Sequence, residues 1–257
     1  MLDLSGTRVK IDRAKTHLDD FDRQVKDIKA ACRDAVVGKR DENQSEYVFC
    51  IERVPTLDPV LSATLGDAIH NLRASLDHLA WQTIIAAGGQ PSDNTNFPIL
   101  DVPPTPDRFG RSRPQIPPGI STKLREILDE MQPYKRTNPA THELFVIHHL
   151  DIGDKHRQLL VAIVGVTSLA WFGELKPVAV NVGPYEDGAE ICRFLRSNGG
   201  DTEDQFQPTI SFDVRLNEPI AGGPWSQMLS ASHLVRRSLT YIENEVIPRF
   251  TDYFRVI

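Results

Sequence analysis

The chain has 257 residues, 40% hydrophobic and 25% charged, with a formal net charge of -6 at pH 7. That composition is ordinary for a globular protein and excludes disorder over most of its length. The acidic balance excludes a uniformly basic, nucleic-acid-coating surface. The acidity is uneven, because residues 158–222 hold four Lys and Arg against nine Asp and Glu. The rest is close to neutral and has room for a local basic surface. Cys32, Cys50 and Cys192 are few, odd in number and without a CxxC pair, which argues against a disulfide framework and a cysteine zinc site. The N-terminus lacks the pattern of a signal peptide. The longest apolar run, Leu159 to Phe172, is shorter than the ~20 residues a spanning helix needs. A cytoplasmic protein with no membrane contact is expected.

In chain order, Ile11, Ala14, Leu18, Phe21, Val25, Ile28, Cys32 and Ala35 recur in steps of three and four and predict a long first helix, with Gly38 as its stop. Tyr47 to Val54 reads as a strand ended by Pro55. A second helix is predicted from Asp58-Pro59 to Gly88-Gly89, with Asp58 as cap and Pro59 at the first helical position. Its buried face is Leu61, Leu65, Ala68, Leu72, Leu76, Leu79 and Thr83. From Pro91 to Pro118 there are eight prolines, which predicts a long loop. A short helix follows over Ser121 to Met131. A third main helix starts after Asn138-Pro139, and Gly153 is read as its interruption, leaving DKHR as a terminal turn.

Short strands are predicted near Leu159–Phe172, Pro177–Val182, Glu190–Arg196 and Thr209–Leu216, in an antiparallel meander or hairpins, with the first of them buried. The last main helix, Trp225 to Phe254, buries Leu229, Val235, Leu239, Ile242, Val246, Phe250 and Tyr253. The expected architecture is α+β in one domain over 1–257. A four-helix-bundle-like body would come from about 5–37, 58–88, 139–157 and 225–255. A Pro-rich loop would cover 90–120. An antiparallel strand block at about 158–218 would be inserted before the C-terminal helix, with an extra strand at 47–54.

The segment Gly66 to Trp81, GDAIHNLRASLDHLAW, is the most informative in the chain. At ~100° per residue, Leu65, Leu72, Leu76 and Leu79 share the core face. His70, Arg73 and Asp77 line one edge of the polar side, and Asp67, Asn71, His78 and Gln82 line the other. A face lining a cleft, or packed on another subunit, gives so many ionisable groups a purpose. Arg73 and His78 form R-x4-H, some ~140° apart around the axis. With four long helices, this motif resembles the HEPN superfamily of helical bundles, whose catalytic members carry R-x4–6-H on a helix. The resemblance covers the helical body, about half the chain. Ala74 follows the arginine, where catalytic members often have a polar residue.

The resemblance implies a dimeric, metal-independent endoribonuclease, of the kind found as toxins or in defence against phage, with an antitoxin as a partner. The chemistry suits the residues. A 2′-OH attacks its own phosphate, His78 moves the proton, Arg73 neutralises growing phosphate charge, and Asn71 and Asp77 orient them. The ends produced are 2′,3′-cyclic phosphates, and no cofactor is required. The alternative for the same residues is a structural polar network, since Arg73 and Asp77 at i,i+4 make an ordinary helical ion pair.

Two further clusters offer substrate contacts. HHLDIGDKHR, His148 to Arg157, places Lys155, His156 and Arg157 near the end of the third helix, and His70 joins them from the second. RFGRSRP offers Arg108, Arg111 and Arg113 around Phe109 for a phosphate backbone and a base. The default for both is capping, ion pairing and solvation. Two rival functions stay open. One is a non-catalytic helical protein binding a partner or nucleotide. The other is a metal-dependent hydrolase using His70, His78, His149 and His156, although no ordered ligand spacing is present. No bound metal is expected.

Overall fold

The computed structural model describes residues 1–41, 46–104, 121–156, 162–170, 177–195, 208–216 and 230–256. The fold is α+β. Helix α1 (Ser5–Asp34) leads into strands β1 (Val36–Arg40) and β2 (Glu46–Ile51), followed by helices α2 (Pro59–Ala86), α3 (Thr122–Glu130) and α4 (Glu143–His156). Strands β3 (Ala162–Ala170), β4 (Pro177–Val180), β5 (Glu190–Leu195) and β6 (Thr209–Leu216) come next. Helix α5 (Ala231–Tyr241) then widens into a π turn (Ile242–Val246) and continues as α6 (Ile247–Val256). No helix among the described residues is long and apolar enough to cross a membrane.

Helix α2 is the element around which the others are arranged. Asp58 caps it by accepting from the Val60 amide at 2.9 Å, with Pro59 supplying a preset φ and no unsatisfied N–H. At the far end Gly88 takes φ +80, a conformation that costs a side-chain-bearing residue energy, and the Gly88 and Gly89 amides close on the Ile85 and Ile84 carbonyls. The predicted face, Leu61 through Thr83, is buried, and so are Ile69, Arg73, Ser75 and Ile84 beside it. Helices α1, α4 and α5 share its core. Salt bridges of Lys15 with Glu243, and of Arg236 with Asp19 and Asp22, fix α1 against the C-terminal helices.

The first helix stops at Asp34, three residues before the expected 37. Val36 and Val37 are β-branched, and they pair with Ile51 and Cys50. Gly38 is a strand residue opposite Phe49, whose ring comes within 2.8 Å of where a Cβ would stand. The third helix starts later than expected. Pro139–Thr141 is a 3-10 turn, and His142 is extended and caps α4 by accepting from the Leu144 amide. Gly153 does not interrupt α4, which continues to His156, so Asp154, Lys155 and His156 form its last helical turn. The π turn precedes Pro248, which has no N–H to give and would crowd the carbonyl four residues back in a regular helix. The start expected at Trp225 lies outside the described residues.

The described strands form two sheets, a four-stranded antiparallel one in the order β1-β2-β5-β4 and a two-stranded one of β3 and β6. β1–β2 and β4–β5 are sequence neighbours, as a hairpin pattern requires, but β3 pairs with β6 across the whole block, Ala162 to Leu216. A simple meander is therefore not what forms. β6 shows why: Ile210, Phe212, Val214 and Leu216 alternate inward. The first two join a second core with Cys32, Phe49, Ile51, Cys192 and Phe194, and the last two join the helical core. In β3, Ser168 and Ala170 are exposed, so this end of the strand is not the buried run expected.

Two expectations follow. Leu72→Ala removes a fully buried side chain from the middle of α2 and should cost about 2–5 kcal/mol in urea unfolding. His142 is 3% exposed and its pKa is pushed down from 6.5 to about 4, chiefly by burial. The unfolded chain binds that proton first, so the contribution to stability is full above pH 6.5 and is lost as pH falls toward 4. His142→Asn keeps an acceptor for Leu144 and should flatten the acid limb of the stability profile by about 3 kcal/mol.

Candidate functional site

The two edges of α2 read from the sequence face different neighbours. On one, His70 Nδ1 lies 3.1 Å from Asp151 Oδ1 of α4, and Lys155 donates to the other Asp151 oxygen at 2.7 Å. Gly66 lets the helices close here, since a Cβ on it would stand 2.7 Å from the Asp154 carboxylate. Burial and the nearby Asp151 and Asp67 carboxylates raise the pKa of Asp154. One turn along, His148 of α4 is held neutral-leaning, its pKa lowered first by burial and then by Arg73. Its Nδ1 is enclosed with no hydrogen-bond partner among the described residues.

On the other edge, Asn71 accepts from Lys10 of α1 at 3.4 Å, and its own amide donates back to the Asp67 carbonyl. His78 stands over Gly6 of α1, where a Cβ would come 2.6 Å from its Nδ1. Between the edges runs an uncovered strip of Asp67, His70, Ala74, His78, Trp81 and Ile85, all exposed except the half-buried Ala74 at its centre. Turning by ~100° per residue, every member lies within about 40° of Ala74.

Arg73 is off this strip. It is 7% exposed, and its guanidinium donates to Asp77 at 2.7 Å and to the Phe97 carbonyl at 3.0 Å. The Phe97 amide donates to the same Asp77 oxygen at 2.8 Å. The pair thus holds both backbone groups of Phe97, whose ring is buried edge-on against Phe250. Arg73 and His78 are not brought together within one chain. Arg73 is turned toward the start of the Pro-rich segment, and His78 toward the N-terminus of α1.

Of the other candidates, Lys155 sits in the α2–α4 contact and His156 is exposed at the end of α4. His149 stacks on Phe145 at 5.7 Å between ring centres. Arg157, Arg108, Arg111 and Arg113 lie outside the described residues. Among the described residues no three His, Cys, Asp or Glu side chains are grouped to hold a metal ion. The residue whose role sequence reading missed is Asp151. Its spacing was visible: Asp67 and His70 on α2 and Asp151 and Asp154 on α4 are both i,i+3 pairs, and only the antiparallel packing of two helices makes them one cluster.

Arg73→Ala should lower stability by about 2–4 kcal/mol, since it strands the Phe97 carbonyl and the Asp77 carboxylate. Chemical unfolding of the variant checks this, and an unchanged midpoint would show that the pair is not holding Phe97. Comparison of the chain with protein-family models, curated proteins and solved structures gives no match.

Proposed function

We propose that this chain is a metal-independent endoribonuclease that works as a homodimer, the uncovered strip of α2 facing its symmetry mate. The observation that supports this best is the strip itself. Two imidazoles, His70 and His78, reach solvent along it, flanked by Lys10 on α1 and Lys155 on α4. Imidazole is the side chain suited to moving a proton near neutral pH, and ammonium groups attract a phosphodiester. His78 takes the proton of an RNA 2′-OH as that oxygen attacks the adjacent phosphorus. The nucleophile belongs to the substrate, so the step needs no metal-bound water. Asn71 lies beside the strip, and the Arg73–Asp77 pair acts from behind it as a strut.

Eight residues, about 12 Å of helix, separate His70 from His78, too far for both to serve one phosphodiester in one chain. Two strips facing each other in opposite directions about Ala74 bring His70 level with the partner subunit's His78. A small residue at the crossing lets the helices approach. The HEPN resemblance supports the dimer and implies a toxin or phage-defence setting with an antitoxin partner. The commitment of Arg73 to Asp77 and Phe97 favours a second reading, a non-catalytic protein that binds a partner or nucleotide through the same strip.

Labelled single-stranded and structured RNA separate the two. Cleavage is expected in excess EDTA, with 2′,3′-cyclic phosphate ends and with DNA of the same sequence intact. His78→Ala should lose at least ~100-fold in rate with an unchanged melting midpoint. RNA bound but left intact by the wild type would establish the second reading. Light scattering that gives a monomer at every concentration would sink the facing-strip arrangement.

A further inference from the structure

We infer that His70, oriented by Asp151 across the α2–α4 contact, is a second proton-transfer residue, the one that protonates the departing 5′-oxygen of the cleaved strand. This assignment rests on the ribonuclease reading above and gives that site its acid.

The two imidazoles of the strip are held differently. His78 stands over a glycine of α1. His70 is pinned at Nδ1 by a carboxylate whose side chain is only 5% exposed, while half of its own side-chain surface is open to solvent. A buried carboxylate on one ring nitrogen fixes the ring's orientation and stabilises the imidazolium, leaving the other nitrogen to exchange a proton with a ligand. Asp151 is itself fixed from two sides, by His70 and by Lys155. Asp154 of α4 lies close enough to His70 to interact with it electrostatically. On α4 the third charged group near His70 is the Lys155 ammonium, which pairs with Asp151 at 2.7 Å. His70 thus presents an oriented ring nitrogen to solvent, and among the described residues no carboxylate is hydrogen-bonded to His78 in the same way.

The step balances without a further reagent. The O2′–P bond forms as the P–O5′ bond breaks. The 2′-OH proton goes to the partner subunit's His78, and the 5′-oxygen takes a proton from His70 Nε2. Both imidazoles then return to their starting states by exchange with solvent, so the RNA is rearranged and nothing is consumed. His70 is a catalytic residue in this scheme, and Asp151 is its positioning residue.

The test compares two substrates. One is an ordinary dinucleotide, whose 5′-alkoxide needs a proton to leave. The other is a nucleoside 3′-(4-nitrophenyl phosphate), whose leaving group does not. His70→Ala should lose at least ~100-fold on the first and stay within a few-fold of wild type on the second, whereas His78→Ala should be slow on both. His70→Gln serves if the alanine variant fails to fold. Asp151→Asn should show the same substrate split, and long-range 15N correlation spectra should show His70 losing its fixed Nδ1–H form. Equal losses on both substrates for the His70 variants would overturn the acid role, as would full activity on the dinucleotide. Wild type inert toward both substrates would overturn the ribonuclease reading, and the assignment with it.

Discussion

Leu61, Leu65, Ala68, Ile69, Leu72, Leu76 and Leu79 take α2 out of water on most of its circumference, and α1, α4 and α5 are fitted around that surface. A helix buried so far round has only two places for a polar side chain. It can stand on the narrow arc that stays uncovered, or it can be buried with its hydrogen bonds met. His70 and His78 take the first course. Arg73 takes the second, giving its donors to Asp77 and Phe97, and Ser75 donates to the Leu72 carbonyl of its own helix. The division between exposed imidazoles and buried support at this site follows from the burial of one helix.

The polar contact between α2 and α4 carries a cost that the packing offsets. Asp151 is buried, and a buried carboxylate is tolerated when cations and donors surround it. His70 and Lys155 do so from the solvent side. One turn back along α4, half-buried His148 keeps an Nδ1 without a hydrogen-bond partner among the described residues, and burial and the nearby Arg73 lower its pKa.

Most of the helical body was legible in the sequence because amphipathic spacing is a local signal. The stripe from Ile11 to Cys32, except for the half-buried Ile28, and the face from Leu61 to Thr83 are buried where their periodicity put them, and Asp58 caps as its position before Pro59 implied. The ends were less legible, because they are settled by contacts beyond the helix. Val36 and Val37 could prolong α1 by period but pair with β2 instead. Gly153 reads as a breaker in isolation, yet α4 continues past it, with Lys155 tied to Asp151 one turn back. The described strands were found individually except β1, whose residues were read as the end and stop of the first helix. Their order was not, since pairing β3 with β6 joins segments about fifty residues apart, and nothing local encodes that choice.

At the candidate site the same boundary applies. By itself the sequence determined that His70, Arg73 and Asp77 share one edge of α2 and Asn71 and His78 the other, because helical geometry fixes angles from spacing alone. Only the tertiary structure decided which edge met which neighbour. It buried Arg73 beneath Phe97, set Asp151 against His70 and left His78 over Gly6. The physical reason is that exposure and partnership belong to pairs of elements, and a single chain pattern carries one member of each pair at a time.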